Sequence, residues 1–321
     1  MYEYKVDLGF RIDTHRHLGG CIPPRWVWQQ IKEHGWGYLG DSFDEVNDAM
    51  TFTSEEEPDF QRFLSKFTIL DNIEWTEALI DSSIKAVCED FESDNLDFVW
   101  LDFSINKYLN HLKWHKKELI KFVYDCFERY YPQKVGLILS LKYESLKSSQ
   151  RQYAEIIHED EVCDMLFGID LVGDESFFDT KFYKPLLKPW KEKGKMVRAH
   201  VSESQPAKNA FDAITKLPVT NIAHGIRLMD DQDLLQRVIN NDITYDLGLS
   251  SNYVAGIVTA YHPICKMIQS GLKLTLGTDD PIQCDTTLDK EYRLAANLGV
   301  GEENLRRFSK LAFKNTIKYR Y

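Results

Sequence analysis

Three features are scarce in this sequence, and each absence excludes a class of protein. No segment approaches the roughly 18 consecutive apolar residues that a membrane-spanning helix needs. Basic residues are in the minority, with 39 Lys and Arg against 50 Asp and Glu, so the formal net charge is −11. An acidic protein repels phosphate backbones and anionic lipids. We therefore expect neither a nucleic acid nor a membrane to be the main partner.

Cysteines are few and scattered, at positions 21, 88, 126, 163, 265 and 284, and no C-x-x-C pair occurs. In a chain of 321 residues this spacing indicates reduced thiols rather than a disulfide framework. The first residues, Met1 to Lys5, do not begin the apolar stretch of a signal peptide. We expect a cytoplasmic protein whose cysteines serve as small core side chains.

The composition supports a large folded core, because 43% of the residues are apolar and 13% are aromatic. A chain of 321 residues fits either one α/β barrel or two smaller domains. No Gly/Ser-rich or Pro-rich linker divides the sequence. We therefore expect a single domain over residues 1–321.

Short apolar runs alternate with helical patterns along the chain. The predicted strands are Leu8–His15, Asp97–Ser104, Val135–Lys142, Leu166–Val172, Met196–Val201, Thr220–Ala223, Ile243–Leu249 and Lys273–Thr278. Helical periodicity is clearest at His115–Tyr131 and Asp230–Ile239, and weaker at Gln150–Met165, Phe182–Lys193, Ala207–Leu217 and His262–Ser270. This alternation predicts an α/β fold of the (β/α)₈ TIM-barrel type. A doubly wound open sheet is the alternative.

The connection between the first two predicted strands is too long for a simple crossover. Residues 18–96 include Trp26, Trp28 and the acidic run Glu55–Glu57. Long insertions in barrels are usually lids or pocket walls, and we expect this one to lie over the barrel mouth. We interpret the tryptophans as filling the gap between lid and barrel, with stacking on a ligand as the alternative.

Histidines and carboxylates cluster at the ends of the predicted strands. The residues at these ends are His15, His17, His200, Glu203, His224, Asp279 and Asp280. Side chains two apart on a strand share a face, so His15 and His17 lie side by side. Because the strand ends of a barrel converge on one mouth, all of these residues are predicted to meet there. Three imidazoles and one carboxylate with an open position form a catalytic metal set.

The remaining histidines lie in helical or loop segments, and we interpret them as structural or exposed. They are His34, His111, His115, His158 and His262.

A series of short motifs at these positions resembles the adenosine deaminase family of metal-dependent amidohydrolases. The motifs are HxHLxG at His15–Gly20, DLxGDE at Asp170–Glu175, HxxE at His200–Glu203, HG at His224–Gly225, SSN at Ser250–Asn252 and TDDP at Thr278–Pro281. Their order and spacing make the resemblance specific. It extends from about Asp13 to the C-terminus and is weakest in the insertion. The HxE and PCxxC pattern of the other zinc deaminases is absent.

The resemblance implies a reaction and a role for each matching residue. The implied metal ligands are His15, His17, His200 and Asp279, which would hold one Zn²⁺. Fe²⁺ or Co²⁺ would also suit these ligands. The metal would make hydroxide available for attack at C6 of a 6-aminopurine nucleoside, adenosine or deoxyadenosine, which would release ammonia. Glu203 would protonate ring N1, while His224 would orient the water or take its proton. Asp280 would bind N7, and the Gly173 backbone N–H would meet N3.

The residues that would read the substrate depart from the family pattern. Members that act on adenosine usually carry an acidic residue at the position of Gly19, where it binds the ribose 5′-hydroxyl. Glu-x-Arg is usual near the end of the second strand, but here the residues are Trp100-Leu101-Asp102. A Cys-Pro pair is often found where this chain has Leu247-Gly248.

These departures leave alternatives open. One is deamination of an adenine nucleoside or nucleotide modified at the 5′ side, with Arg16 or Arg25 supplying positive charge, although alternation with the histidines turns Arg16 away from the site. Another is removal of an N6-alkyl amine. A third is a barrel that binds a nucleoside without turnover.

Overall fold

The structure, a computed structural model, describes residues 9–145, 155–157 and 159–320. Eight parallel strands form one sheet in chain order. They are β1 (Ile12–His17), β2 (Phe98–Phe103), β3 (Val135–Lys142), β4 (Leu166–Val172), β5 (Met196–Val201), β6 (Asn221–His224), β7 (Thr244–Leu247) and β8 (Lys273–Leu276). The residues after β8 return to β1, where the Asp279 N–H donates to the His15 carbonyl over 2.6 Å and the His17 N–H donates to the Asp279 carbonyl over 2.9 Å. The predicted (β/α)₈ barrel is confirmed.

Helices surround the sheet and fill the long connection. Between β1 and β2 lie α1 (Leu18–Cys21), α2 (Pro24–His34), α3 (Phe43–Met50), α4 (Phe60–Ser65), α5 (Thr68–Asp71) and α6 (Glu77–Ser93). The later helices are α7 (Ile105–Leu109), α8 (Lys116–Tyr130), α9 (Asp160–Met165), α10 (Thr180–Glu192), α11 (Ala207–Lys216), α12 (Gln232–Val238), α13 (Leu249–Val254), α14 (Ile264–Gln269), α15 (Leu288–Asn297) and α16 (Glu302–Arg320).

Strand prediction succeeded where an apolar run is continuous, and the bounds of β3, β4 and β5 are those predicted. The prediction for β1 ended too early, at His15, because pairing with β2 continues to His17 opposite Asp102. Leu8, where that prediction began, lies outside the described residues. Residues 150–154 and His158, which belong to the predicted helix Gln150–Met165, also lie outside the described residues. The C-terminal part of that predicted helix is observed as α9.

The β1–β2 insertion is packed against the barrel. Trp26 is buried and stacks on Trp75 with ring centroids 5.8 Å apart, so this ring packs within the insertion itself. The Phe52 N–H donates to the Gln283 carbonyl after β8, and the Asp59 N–H donates to the Val254 carbonyl at the end of α13. These bonds tie the insertion to two loops at the carboxyl ends of the strands.

The opposite end of the barrel is closed by an apolar floor. Its members are Ile12, Phe98, Trp100, Ile138, Phe167, Met196, Ala312 and Tyr319. Ala312 and Tyr319 come from α16, and the Trp100 indole N–H donates to Thr316 of the same helix over 2.9 Å. Trp100 therefore forms part of the floor, which explains its presence where the family carries a glutamate.

All six cysteines lie in the described residues, and none forms a disulfide. Within the described ranges, no helix combines the length and the hydropathy needed to cross a bilayer.

We predict that Trp100→Ala lowers the free energy of unfolding by about 3–5 kcal/mol, because the change empties a buried site and leaves Thr316 without its donor. Urea unfolding followed by circular dichroism measures the effect. Tyr38→Ala is the matched control, since Tyr38 is 69% exposed and its loss changes stability by less than about 0.5 kcal/mol. Equal midpoints for the two variants would contradict the role of the floor.

Candidate active site

The predicted metal ligands meet at the carboxyl ends of β1, β5 and β8. The Nε2 atoms of His15 and His200 lie 2.9 Å apart. An Asp279 carboxylate oxygen lies 3.5 Å from His15 Nε2 and 3.2 Å from His17 Nε2. Each of the four residues offers one donor atom, and these four atoms all lie within 4.8 Å of one another. The four residues that were predicted from the sequence to meet at the barrel mouth therefore form a compact cluster.

The donor set fits a divalent metal. Burial lowers the pKa of His15 well below its usual value, so its ring is neutral and offers a lone pair. That lone pair faces His200 Nε2 at 2.9 Å, a separation that requires a proton or a cation between the two nitrogens. Burial lowers the pKa of His17, but the hydrogen bond to Asp279 and the negative charges of nearby carboxylates together outweigh burial and raise that pKa to about 10. The site therefore stabilises positive charge beside Asp279.

A buried carboxylate orients His200. Asp170 Oδ1 lies 3.2 Å from His200 Nδ1, so the ring donates its Nδ1 proton to Asp170 and turns an unprotonated Nε2 towards His15. Arg198, two residues before His200, donates to the other Asp170 oxygen over 2.5 Å. The Asp170–Glu175 motif thus supplies a support for a ligand, a role that the sequence did not reveal.

Arg198 is fully buried and joins strands across the barrel interior. Its guanidinium donates to the Thr14 carbonyl over 2.7 Å, to Asp246 over 3.3 Å and to Asp102. Asp102 stands where the family carries an arginine on β2. In this chain the guanidinium comes from β5 and the carboxylate from β2, and the two form a buried ion pair.

Glu203 and His224 share one neighbour, Asn252 at α13. The Asn252 amide nitrogen lies 2.8 Å from Glu203 Oε1 and 3.1 Å from His224 Nδ1. His224 Nε2 lies 3.6 Å from both Glu203 Oε1 and Asp279 Oδ2. Burial, with the negative charge of Asp279, raises the pKa of Glu203 well above its usual value. Glu203 is therefore suited to hold a proton near neutral pH.

Glu175 holds the loop that carries Glu203. Its carboxylate accepts hydrogen bonds from the backbone N–H groups of Ser202, Glu203 and Ser204 over 2.5, 3.0 and 2.9 Å. Asp174, in contrast, caps a short turn by accepting from the Ser176 N–H. Asp174 therefore begins a short helical turn, whereas Glu175 supports the loop of the site.

Asp280 carries a buried oxygen, Oδ1, that makes no hydrogen bond to any described residue. Burial and the neighbouring Asp279 raise the pKa of Asp280 to about 8, which favours a protonated carboxyl able to donate. A Cβ at Gly20 would lie 2.0 Å from Oδ1, so this position of the HxHLxG motif requires glycine.

Glycine is favoured at two further positions of the site, for a different physical reason at each. Gly173 has φ +96°, in the left-handed region, at the exposed end of β4. A Cβ at Gly248 would lie 2.9 Å from the Asp279 Cβ, so close approach explains the glycine in Leu247-Gly248. At Gly19, by contrast, an added Cβ meets no atom within 4 Å. Its side of the mouth is open.

The two cationic residues considered for a 5′-group are engaged elsewhere. Arg16 donates to Asp13 over 2.6 Å and to Asp94 over 2.9 Å, and it packs over the Phe91 ring of α6. Arg25 pairs with Asp90, also on α6, at 2.7 Å. As alternation predicted, Arg16 points away from the histidine face.

Of the histidines interpreted as structural or exposed, His34, His111 and His115 are exposed, and His158 lies outside the described residues. His262 is buried, and its Nε2 lies 3.1 Å from Asn252 Oδ1. The sequence did not connect it to the site, because the contact depends on how the loop after α13 folds back.

Several known proteins are similar to this chain in sequence or in structure. The adenosine deaminase family model matches residues 11–318. An adenosine deaminase of Shewanella loihica is 25% identical over 295 residues, covering 88% of this chain and 86% of its own. A zinc-bound amidohydrolase structure from Burkholderia ambifaria has a TM-score of 0.79 at 15% identity, covering 95% of this chain and 85% of that one. The N6-methyl-AMP deaminase structure from Arabidopsis thaliana has a TM-score of 0.77 at 18% identity, covering 95% and 91%.

The structural neighbours share the fold at low identity, and the family match spans nearly the whole described chain, including every strand and each of the clustered histidines and carboxylates. The chain belongs to the adenosine deaminase family and is a hydrolase that acts on C–N bonds.

Proposed function

We propose that this protein is a zinc-dependent aminohydrolase that converts a 6-aminopurine nucleoside, adenosine or deoxyadenosine, to the 6-oxopurine and ammonia. The observation that carries the proposal is the presence, in one buried site, of a metal-ligand set, a carboxyl group suited to donate a proton and an unpartnered carboxyl at Asp280. The match to the adenosine deaminase family supports it.

In this proposal His15, His17, His200 and Asp279 hold the zinc ion. When bound, the ion supplies an acidified water molecule, so that hydroxide is available near neutral pH. Asp170 keeps the ligand nitrogen of His200 free of its proton, since the hydrogen bond holds that proton on Nδ1.

The protein's own residues bind the purine and move protons. Glu203 gives its proton to ring N1 as the nucleophile adds at C6, while His224 orients the nucleophile and Asp279 takes up its proton. A protonated Asp280 donates to N7, and the Gly173 N–H, at the end of β4, donates to N3. The amino group then gains the proton that Asp279 took up, the C6–N bond breaks as the C6 hydroxyl returns a proton to Glu203, and ammonia leaves.

The 5′ side of the substrate is the part on which the family residues give least guidance. Open space at Gly19 accommodates a larger 5′-group, and one neighbour of the same fold is an N6-methyl-AMP deaminase. A phosphate, however, would need a cation, and Arg16 and Arg25 are both paired with carboxylates of α6 or its C-terminal end. These ion pairs favour an uncharged 5′ side, with a 5′-modified nucleoside as the second candidate.

We predict that Glu203→Gln lowers kcat by about 10²–10⁴-fold and leaves the zinc content unchanged, because an amide keeps the shape but has no proton to give. Ammonia release is measured with adenosine, deoxyadenosine, AMP, 5′-methylthioadenosine, adenine and N6-methyl-AMP. Glu192→Gln, at an exposed position of α10, is the control and keeps full activity. Full activity in Glu203→Gln would exclude the proposed acid. Zinc-loaded protein inactive on every compound would direct the search to other amines and amides, and protein with neither zinc nor turnover would favour a nucleoside-binding barrel.

The four proposed zinc ligands lead to a second prediction. Protein purified without chelator holds about one zinc per chain, and His17→Ala loses most of it, because one of four ligands is removed. Elemental analysis after dialysis measures the content, and His111→Ala, at an exposed histidine, is the control. Equal zinc in the two variants would show that the metal lies elsewhere.

Gly19→Asp tests the 5′ side directly. The new carboxylate has room and can accept from a 5′-hydroxyl, so we expect kcat/KM for adenosine to rise about 2–10-fold relative to that for 5′-methylthioadenosine. Steady-state kinetics on both compounds measures the ratio, with Gly19→Asn as the uncharged control. An unchanged ratio would mean that the 5′-group does not approach Gly19.

A further inference from the structure

His262 makes two directed hydrogen bonds that determine where its own proton lies. The Ile264 backbone N–H donates to His262 Nδ1 over 3.1 Å. A nitrogen that accepts a hydrogen bond carries no proton, so a neutral ring must carry its proton on Nε2. Burial lowers the pKa of His262 to about 4, and the ring is therefore neutral at physiological pH.

The Nε2 proton in turn orients Asn252. His262 Nε2 lies 3.1 Å from Asn252 Oδ1, and as a donor it must face the amide oxygen rather than the amide nitrogen. The Asn252 NH₂ group is thereby turned the opposite way. Its two hydrogens face two acceptors, Glu203 Oε1 at 2.8 Å and His224 Nδ1 at 3.1 Å.

Both of those acceptors then have defined proton positions. His224 Nδ1 accepts from Asn252, so neutral His224 carries its proton on Nε2, the atom that lies 3.6 Å from Asp279 Oδ2. Glu203 Oε1 accepts from Asn252, so the proton of the Glu203 carboxyl is kept on Oε2. One asparagine thus sets the proton on both groups.

We propose that His262 is a positioning residue that acts through Asn252 to hold the protons of Glu203 and His224 on the atoms from which the deamination uses them. The catalytic part of this inference rests on the proposed function, whereas the proton positions follow from the hydrogen-bond chain alone. The chain runs from the Ile264 backbone through His262 and Asn252 to the site, and it anchors the side chains of α13 to the start of α14.

A matched pair of variants separates this role from simple support of the loop. In His262→Asn the shorter amide oxygen still accepts from the Ile264 N–H, but no group reaches Asn252. In His262→Gln the amide nitrogen replaces Nε2 as the donor to Asn252 Oδ1. The loop contact is thus kept in the first variant, and the contact to the site is restored in the second.

The direct readout is ¹⁵N NMR of the zinc-loaded holoenzyme labelled at histidine, since protonated and unprotonated ring nitrogens have well-separated shifts. Signals are assigned by their loss in His262→Asn and in His224→Gln. We expect His262 and His224 both to carry the proton on Nε2 in the wild type. In His262→Asn we expect His224 to become a mixture of tautomers, and in His262→Gln to return to the Nε2 form.

Kinetics with adenosine, or with another compound of the purine panel that the wild type turns over, supply the second readout. We expect kcat to fall about 10–100-fold in His262→Asn with KM changed less than about 2-fold, and to recover most of that loss in His262→Gln, because an orientation used in the transition state is lost and restored. Zinc content should be the same in all three proteins. His115→Asn, at an exposed histidine, is the control.

An unchanged His224 tautomer and unchanged kcat in His262→Asn would overturn the proposal and leave His262 as support for the loop. If His262→Asn fails to fold, Asn252→Asp tests the same chain, because a carboxylate facing His224 Nδ1 draws the proton to that atom. A His224 ring still protonated on Nε2 in Asn252→Asp would overturn it. Since NMR needs no substrate, the proton positions are tested even if none of the purines is turned over.

Discussion

The structure depends most on one buried guanidinium. Arg198 on β5 contacts the Thr14 carbonyl of β1 and carboxylates on β2, β4 and β7, so a single side chain joins five of the eight strands. Three carboxylates around one cation would be costly if any partner were missing, and breaking a buried ion pair typically costs about 3–5 kcal/mol. The planar fork of arginine reaches several acceptors at once, which an ammonium group on lysine does not. Through Asp170 the same cluster orients His200. The same contacts therefore stabilise the barrel interior and orient His200, one of the proposed metal ligands.

The barrel interior is built in three layers, and each has its own chemistry. Apolar side chains with α16 form the floor, the ionic cluster around Arg198 forms the middle, and the histidines with Asp279 form the top. The top layer also closes the barrel, because the backbone bonds between β1 and the end of β8 are made by His15, His17 and Asp279 themselves. Asp279 and His224 have left-handed φ values of 62° and 59°, uncommon for residues other than glycine. The ligand positions are thus determined by strand closure and turn geometry as well as by side-chain rotamers.

Sequence reasoning found what depends on strand periodicity and on topology. Continuous apolar runs gave the bounds of β3 to β5, and the spacing of His15 and His17 gave their shared face. Convergence of strand ends in a barrel was enough to predict that His200, His224 and Asp279 would join them. It did not reveal Arg198 or Glu175, because their partners lie 27 or more positions away. It also did not reveal His262, which lies in a loop whose course the periodicity does not determine. A buried arginine next to a ligand was the available signal, since a cation in a strand interior requires carboxylates around it.

The departures from the family pattern carry different amounts of information about the substrate. Asp102 is compensated by Arg198, Trp100 packs in the floor, and Gly248 lies against Asp279, so all three are explained by contacts inside the barrel. None of these contacts requires a change of ligand. Gly19 has no such compensation, since no atom occupies the space that its missing side chain leaves. Gly19 is therefore the altered position at which the protein itself leaves room for a side chain, and we propose that the substrate preference of this chain differs there from that of relatives with a carboxylate.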